Sequence, residues 1–174
     1  MGYTLITRFS AESLSYINEI ISNTGIPSNK IPFGRDCDRV KADKLLPYHV
    51  TVLSWKRQYD DVYLPLIRGY QCPGPSLLSI TGTTTLLGQE GSLVLCFKIN
   101  PGGTYLKYTH ELGQRLHIKT SRFPHITLAV SKNHDEIKRI KQMIDASLKY
   151  PFSVTVEGFD LYHVWKPVKK VGEY

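Results

Sequence analysis

Cysteine is scarce in this 174-residue sequence, and the three that occur are far apart. Cys37, Cys72 and Cys96 form no C-x-x-C pair, which argues against a disulfide scaffold or a zinc site and favours a reduced, cytoplasmic protein. The sequence also lacks an apolar run of transmembrane length and a signal-peptide pattern. It does not match the myristoylation pattern, because Ile6 stands where Ser or Thr is needed. We therefore expect no membrane partner.

Acidic residues are outnumbered: 22 Lys and Arg face 15 Asp and Glu, for a formal net charge of +7. An excess of positive charge favours polyanionic partners such as nucleic acid or nucleotides. The sequence has no carboxylate cluster that would hold a metal ion. We therefore expect neither a metal nor another cofactor.

Hydrophobic patterning predicts an alternation of strands and helices. Ser10 is a candidate N-cap for a first helix, and Asn133 with Glu136 resembles a capping box. The stretch 26–46 has no clear period and is expected to be a long loop. Its part "IPFGRDCDRV" could form a lid that carries Arg35 or Arg39 to phosphate, and solvated charges in a surface loop are the alternative. Strands are predicted over 3–9, 47–55, 77–87, 92–100, 123–131 and 152–164, with helices over 10–25, 60–70, 103–117 and 133–148.

The order strand, helix, strand, helix, strand occurs twice, which predicts an internal duplication. His125 follows His49 by 76 residues (125 − 49), and Gly158 follows Gly82 by the same interval (158 − 82). The first strand and helix of each half are offset by about 90 residues, and the loop 26–46 absorbs the difference. We expect one domain over 1–174 with pseudo-repeat halves at about 1–87 and 91–164.

A His-x-Thr triplet stands in one apolar strand of each half, in "PYHVTVLSW" and in "FPHITLAVS". Residues i and i+2 of a strand face the same side, so His49 projects with Thr51, and His125 with Thr127. The same alternation predicts that Leu53 and Trp55 continue the face of His49. If a pseudo-twofold axis relates the halves, two imidazoles and two hydroxyls line one cleft. Such a set suits phosphodiester chemistry, with one histidine as base, the other as acid, and the hydroxyls on phosphate oxygens.

Paired "HVTV" and "HITL" motifs in a small duplicated α/β protein resemble the two-histidine phosphoesterase superfamily, which includes the 2′-5′ RNA ligase-like proteins and the RNA 2′,3′-cyclic phosphodiesterases. The resemblance implies metal-independent catalysis by His49 and His125, with phosphate held by Thr51 and Thr127. Many relatives carry an arginine shortly after the second motif. Here "LAVSK" offers only Lys132 as a basic residue, so Lys132 is the candidate for that contact.

Further substrate-binding candidates are aromatic. Tyr162 on the last strand, Trp55 and Tyr48 can each stack a nucleobase, and a packed core position is the alternative for all three. Phe123, beside the second motif, is expected in the core. The basic run "KPVKK" at 166–170 is expected to be a solvated tail.

The sequence therefore predicts an α+β, bilobal, pseudo-twofold fold with two antiparallel sheets facing a central cleft and helices outside. The predicted function is a metal-independent phosphodiesterase that acts as a monomer, without an obligate protein partner, on nucleotide or RNA substrates. These substrates are 2′-5′ linkages, 2′,3′-cyclic phosphates or cyclic oligonucleotide messengers, and either histidine can be the base. A binding module that sequesters a nucleotide or RNA without turnover is the alternative, and an adaptor with a relict fold is a third.

Overall fold

Strands and helices alternate along the part of the chain that the computed structural model describes, residues 2–25, 47–70, 74–117, 123–163 and 169–174. Arg35, Cys37, Arg39 and Cys72 lie outside the described residues. The strands are β1 (Gly2–Phe9), β2 (Thr51–Lys56), β3 (Ser76–Leu87), β4 (Leu93–Pro101), β5 (His125–Ser131), β6 (Phe152–His163) and β7 (Lys169–Glu173). The helices are α1 (Ala11–Ser22), α2 (Asp60–Arg68), α3 (Gly103–Leu116) and α4 (His134–Ser147).

All seven strands belong to one antiparallel sheet with the order β2-β1-β6-β3-β4-β5, and β7 pairs with β6. The α+β class is as predicted, but the two expected sheets are joined into one. The junction is the pairing of β3 with β6 over Ser76–Ile80 and 152–156. Each half therefore donates its last strand to the lobe of the other half, which ties the two lobes together through backbone hydrogen bonds.

The strand register has pseudo-twofold symmetry. Leu78 pairs with Val154, and these two residues are 76 positions apart (154 − 78). A residue that pairs with its own equivalent must lie on the axis that relates the halves. Residues in the first strands of the two halves are instead 90 positions apart (98 − 8). Arg8 of β1 pairs with Gly158, and its equivalent Lys98 of β4 pairs with Gly82.

The β-bulges obey the same interval. On β2 the register shifts between Leu53 and Thr51, which leaves Val52 as the extra residue. On β5 it shifts between Ala129 and Thr127, which leaves Leu128 as the extra residue. These two extra residues are 76 positions apart (128 − 52). A bulge inserts one residue and so reverses the side on which later residues point. Leu53 and Trp55 are consequently buried in the core, whereas Thr51 is exposed. The prediction that Leu53 and Trp55 share the face of His49 is wrong for this reason.

The helices pack on one face of the sheet and close the hydrophobic core there. Ser10 caps α1 by accepting a hydrogen bond from Ser13 N–H, and Asn133 caps α4 by accepting one from Glu136 N–H, as the sequence predicts. Apolar residues of alternating strand positions, such as Leu5 and Leu95, belong to this core. Amphipathic helices and half-apolar strands thus bury one face each.

The opposite face of the sheet, here called the cleft face, carries Ile6, Arg8, Cys96, Lys98 and Asp160 by strand alternation. Ile6 and Cys96 are fully buried although they lie outside the core that the helices cover. Because these side chains point away from the helices, other parts of the chain cover them on the cleft face.

Strand β7 was not predicted from the sequence. Lys169 and Lys170, expected in a solvated tail, open this strand, and Lys170 lies beside Tyr162 of β6. Lys170 Nζ is 3.0 Å from the Asp160 carboxylate, which is almost fully buried. A buried carboxylate requires charged or hydrogen-bonding partners, and β7 supplies one of them.

Candidate active site

The two His-x-Thr motifs meet where the ends of the sheet come together. Val50 forms an isolated antiparallel bridge with Ile126, and these residues are again 76 positions apart (126 − 50). In an antiparallel pair the residue before one partner lies opposite the residue after the other. His49 therefore lies toward Thr127, and His125 toward Thr51, on the side of the chain opposite the buried Val50 and Ile126. His49 lies two residues before the start of β2, whereas His125 is the first residue of β5.

Both imidazoles are oriented by the same type of hydrogen bond. His49 Nδ1 lies 2.7 Å from the carbonyl oxygen of Pro47, and His125 Nδ1 lies 2.9 Å from that of Phe123. A carbonyl oxygen only accepts, so each Nδ1 is the protonated donor. In the neutral ring this leaves the lone pair on Nε2, the tautomer in which Nε2 can take up a proton.

Thr7 of β1 holds the first motif in place. Its backbone N–H donates to Val50 O at 3.0 Å, and its hydroxyl oxygen accepts from Val50 N–H at 2.8 Å. The Thr7 side chain is fully buried. Both backbone groups of Val50 are thus fixed one residue from His49, which restricts where that ring can lie.

The two histidines differ electrostatically. Burial lowers the pKa of His49 from 6.5 to about 4, the hydrogen bond to Pro47 opposes this, and the nearby His125 lowers the pKa further. The influence of His125 also means that the rings are close enough to interact. His49 is therefore neutral near neutral pH, which suits it to accept a proton.

Charged side chains lie on the cleft face beside the motifs. Lys98 is the cross-strand partner of His125, and Arg8 occupies the equivalent place in the other lobe. Arg8 Nη1 lies 2.7 Å from Asp160 Oδ1. Tyr162 is half-buried on the same face, with its pKa raised mainly by burial and next by Asp160.

Two of the predicted aromatic contacts lie in the hydrophobic core. Tyr48 is 5% exposed and Trp55 is 7% exposed. The Trp55 indole stacks on Tyr3 at 5.6 Å between ring centroids and donates from Nε1 to Asp60 Oδ1 at 3.1 Å. Little of either side chain is available to a ligand, and the core alternative describes both.

Phe123 was missed as a candidate because it was expected in the core. It is 45% exposed, and its ring centroid lies 6.1 Å from that of His125. Its apolar character suggested burial, but the ring is exposed beside the motif. Lys132 lies past the end of β5, where Nζ pairs with Glu90 Oε2 at 2.9 Å, and its contact with phosphate stays a prediction. The predicted contact of Arg35 with phosphate falls outside the described residues.

A cavity of about 270 Å³ lies on the other side of the sheet, between α1 and α4. Its lining residues are Tyr16, Glu19, Ile20, Asn23, Thr24, Met143, Ser147 and Leu148. None of them belongs to the cleft face, so this cavity is separate from the two histidines. None of the helices in the described part of the chain is long and apolar enough to cross a membrane.

The fold is shared with several solved structures. LigT of E. coli, solved with 3′-AMP, superposes with a TM-score of 0.57 at 16% identity, over 99% of this chain and 96% of LigT. The protein TT0787 of Thermus thermophilus gives 0.61 at 17% identity, over 100% and 97% of the two chains. Usb1 of Kluyveromyces marxianus gives 0.52 at 12% identity, over 97% and 95%. These likenesses confirm the fold that the paired motifs imply.

The likeness to known proteins lies in the fold rather than in the sequence. No protein-family model matches the chain, and no curated protein matches it. The LigT structures include complexes with 3′-AMP, ATP, NADP+ and phosphate. LigT therefore shares its fold with this chain and binds nucleotides. At 16% identity this likeness shows the fold alone, so the chemistry of this chain is argued from its own residues.

Proposed function

We propose that this protein is a two-histidine phosphodiesterase that acts on RNA-derived or nucleotide substrates. The main support is the antiparallel contact of Val50 with Ile126, which sets His49 and His125 on one face with Thr51 and Thr127. The matching hydrogen bonds at the two Nδ1 atoms add to it, because they leave Nε2 of each ring for proton transfer. The fold likeness to LigT and Usb1 agrees with this chemistry.

We assign the two histidines different roles. His49, neutral because burial lowers its pKa to about 4, acts as the base. His125, whose hydrogen bond to Phe123 O is solvent-exposed, acts as the acid. Thr51 and Thr127 donate hydrogen bonds to the non-bridging phosphate oxygens and stabilise the charge that grows on them.

Opening of a 2′,3′-cyclic phosphate illustrates the proton balance. His49 Nε2 takes a proton from water as the water oxygen bonds to phosphorus. Protonated His125 gives its Nε2 proton to the ribose oxygen as the bond from that oxygen to phosphorus breaks. The product is a phosphomonoester, and solvent exchange then restores both rings. A 2′-5′ linkage or a cyclic oligonucleotide is cut by the same pair of proton transfers, with a different leaving oxygen.

The site also supports a second function, in which the protein sequesters a nucleotide without turning it over. The exposed Phe123 beside His125 is suited to hold a base, whether or not a bond is cut. Scarce cysteine favours a cytoplasmic setting for either function.

A cleavage assay in EDTA separates these functions. The substrates are 2′-5′ oligoadenylate, 2′,3′-cyclic nucleotides, and cyclic di- and trinucleotides, at a large excess over protein. We expect multiple turnovers of at least one class, and a loss of roughly 10²- to 10⁴-fold in His49→Ala and in His125→Ala. His110→Ala, which removes an exposed histidine of α3, is the matched control and should keep full activity.

Unchanged melting temperatures in the variants would exclude unfolding as the cause of lost activity. If wild-type protein binds these compounds but turns none over, the sequestering function is the correct one. If both histidine variants cleave as fast as wild type, the two-histidine mechanism is wrong.

A further inference from the structure

Each lobe carries one cation at the same position of the cleft face. Arg8 of β1 pairs with Gly158 of β6, and Lys98 of β4 pairs with Gly82 of β3. Gly158 follows Gly82 by 76 residues (158 − 82), so the pseudo-twofold axis exchanges Arg8 with Lys98. Equivalent positions should have equivalent surroundings unless the two halves have diverged there.

The surroundings of Arg8 neutralise its charge. Its Nη1 lies 2.7 Å from Asp160 Oδ1 and 3.7 Å from Glu173 Oε2. The guanidinium crosses directly over Gly158, where a Cβ atom would come within 2.5 Å of Arg8 Nη2. The glycine thus provides the space through which Arg8 reaches its carboxylates.

The surroundings of Lys98 do not neutralise its charge. The equivalent of Asp160 in this lobe is Thr84 (160 − 84 = 76), which carries no charge. Glu173 comes from β7, and no strand of the described residues takes the place of β7 beside β3. Among the ion pairs of the described residues, none includes Lys98.

Lys98 is also the residue of β4 that lies beside the second motif. It pairs with His125 across the two strands, and both side chains project from the cleft face. Directly paired Cβ atoms in antiparallel strands are about 5 Å apart, within the length of a lysine side chain. On the other side of Lys98, open space surrounds the position where a Cβ of Gly82 would be. The exposed ammonium can therefore swing over the space between His125 and Thr127 without a competing carboxylate.

We propose that Lys98 binds the substrate phosphate on the His125 side of the cleft. This inference rests on the proposed function and specifies which lobe holds the negative charge. A phosphodiester carries one negative charge, and more charge collects on its non-bridging oxygens during displacement. A lysine ammonium is a compact point charge that pairs with these oxygens from a range of angles. Arg8 cannot do the same, because its charge is already held by Asp160.

Phosphate binding tests this role without requiring turnover. Inorganic phosphate, adenosine 2′-monophosphate and uncharged adenosine are titrated into wild-type protein, Lys98→Ala, Lys98→Arg and Lys107→Ala, followed by calorimetry and by the NMR signals of the histidine rings. Lys107 is an exposed lysine of α3, on the helix-covered side of the sheet, so its loss changes the net charge equally. Melting temperatures of all variants establish that they fold.

We expect Lys98→Ala to weaken binding of phosphate and of the nucleotide about tenfold or more, and to flatten the salt dependence of that binding. Adenosine binding should not change, Lys98→Arg should restore most of the affinity, and Lys107→Ala should behave as wild type. The inference is overturned if wild-type protein does not bind phosphate, if Lys98→Ala binds it as well as wild type, or if Lys107→Ala weakens it equally.

Failure of this inference is distinguishable from failure of the proposed function. If wild type and Lys98→Ala cleave a substrate equally well, the enzyme activity stands and the role of Lys98 is wrong. If Lys98→Ala loses phosphate binding while no substrate is cut by wild type, Lys98 is the phosphate contact of a sequestering protein.

Discussion

Val50 and Ile126 pair with each other across a pseudo-twofold axis, and each is followed by a threonine and preceded by a histidine. Their bridge joins the two ends of the sheet order, β2 and β5, which are the strands farthest apart within the sheet. The four motif side chains are neighbours only because the sheet curves until these ends touch. Groups that hold Val50 in place should therefore affect activity as well as stability.

Thr7 is the first such group. Thr7→Val keeps the side-chain shape but removes the oxygen that accepts from Val50 N–H, which then remains buried and unsatisfied. We expect a loss of about 1–3 kcal/mol of unfolding free energy, measured in urea, and a fall in kcat. Thr7→Ser should recover both.

Thr4→Val is the matched control for Thr7. Thr4 is also buried on β1, and its hydroxyl donates to Leu53 O, farther from the histidines. It should lose stability without a comparable fall in kcat. Equal activity losses in the two variants would contradict a positioning role for Thr7.

The low pKa of His49 predicts how stability depends on pH. The folded pKa of about 4 is below the ordinary value of 6.5, so between these values the unfolded chain binds more protons than the folded protein. Stability should be complete above pH 6.5 and decrease as the pH falls toward 4, by at most about 3 kcal/mol. Urea unfolding of wild type and His49→Gln at about pH 7.5 and about pH 5, on either side of the ordinary histidine pKa, measures this, and the variant should show the smaller decrease.

The same pKa can be observed directly by NMR titration of the histidine rings. The His49 signal should titrate near pH 4, and His125→Ala should move that titration upward because a neighbouring positive charge is lost. A His49 that titrates near 6.5 in the folded protein would contradict both expectations and the assignment of His49 as the base.

Phe123 is expected to contact the nucleobase. Phe123→Ala should weaken nucleotide binding by about 1–3 kcal/mol, the usual contribution of one stacked base, with little change in melting temperature because the ring is exposed. Phe123→Tyr should bind as wild type. Tyr59→Ala, which removes an aromatic ring of similar exposure next to α2, is the control, and an equal loss there would argue against a specific contact.

Asp160 is expected to contribute to stability through the two cations it holds. Asp160→Asn leaves Arg8 and Lys170 without their buried carboxylate, and should cost about 1–3 kcal/mol because both cations remain partly exposed to water. Glu90→Gln breaks the exposed pair with Lys132 and should change the urea midpoint little. Similar shifts in both variants would show that the Asp160 network is no stronger than a surface ion pair.

The sequence correctly indicated the parts of the fold that depend on local patterns. Helix α1 begins after Ser10 and α4 after Asn133, because capping is a contact between residues three apart. The repeat interval of 76 predicted from two landmarks recurs in the register of the strands and in the positions of the bulges. These features are set by neighbouring residues, so their signal is present in the chain itself.

Strand faces and side-chain exposure could not be read in the same way. The bulge at Val52 turned Trp55 into the core, whereas Phe123 is exposed, although both are aromatic residues close to a motif. Strand β7 was missed because Lys170 is stabilised by Asp160 of β6 rather than by any apolar alternation. The bulge and β7 depend on pairing with another strand, which a local pattern does not reveal.

The sequence by itself determined the duplicated α+β pattern and the two His-x-Thr motifs, because periodicity and motif spacing are properties of the linear chain. Only the tertiary structure decided that His49 is the partly buried, neutral ring, that Phe123 is exposed, and that Lys98 lacks the carboxylate that Arg8 has. The physical reason is that burial and charge pairing depend on which side chains the curved sheet brings together. Asp160 and Thr84 are pseudo-equivalent residues, and only Asp160 carries a charge that can pair with the neighbouring cation.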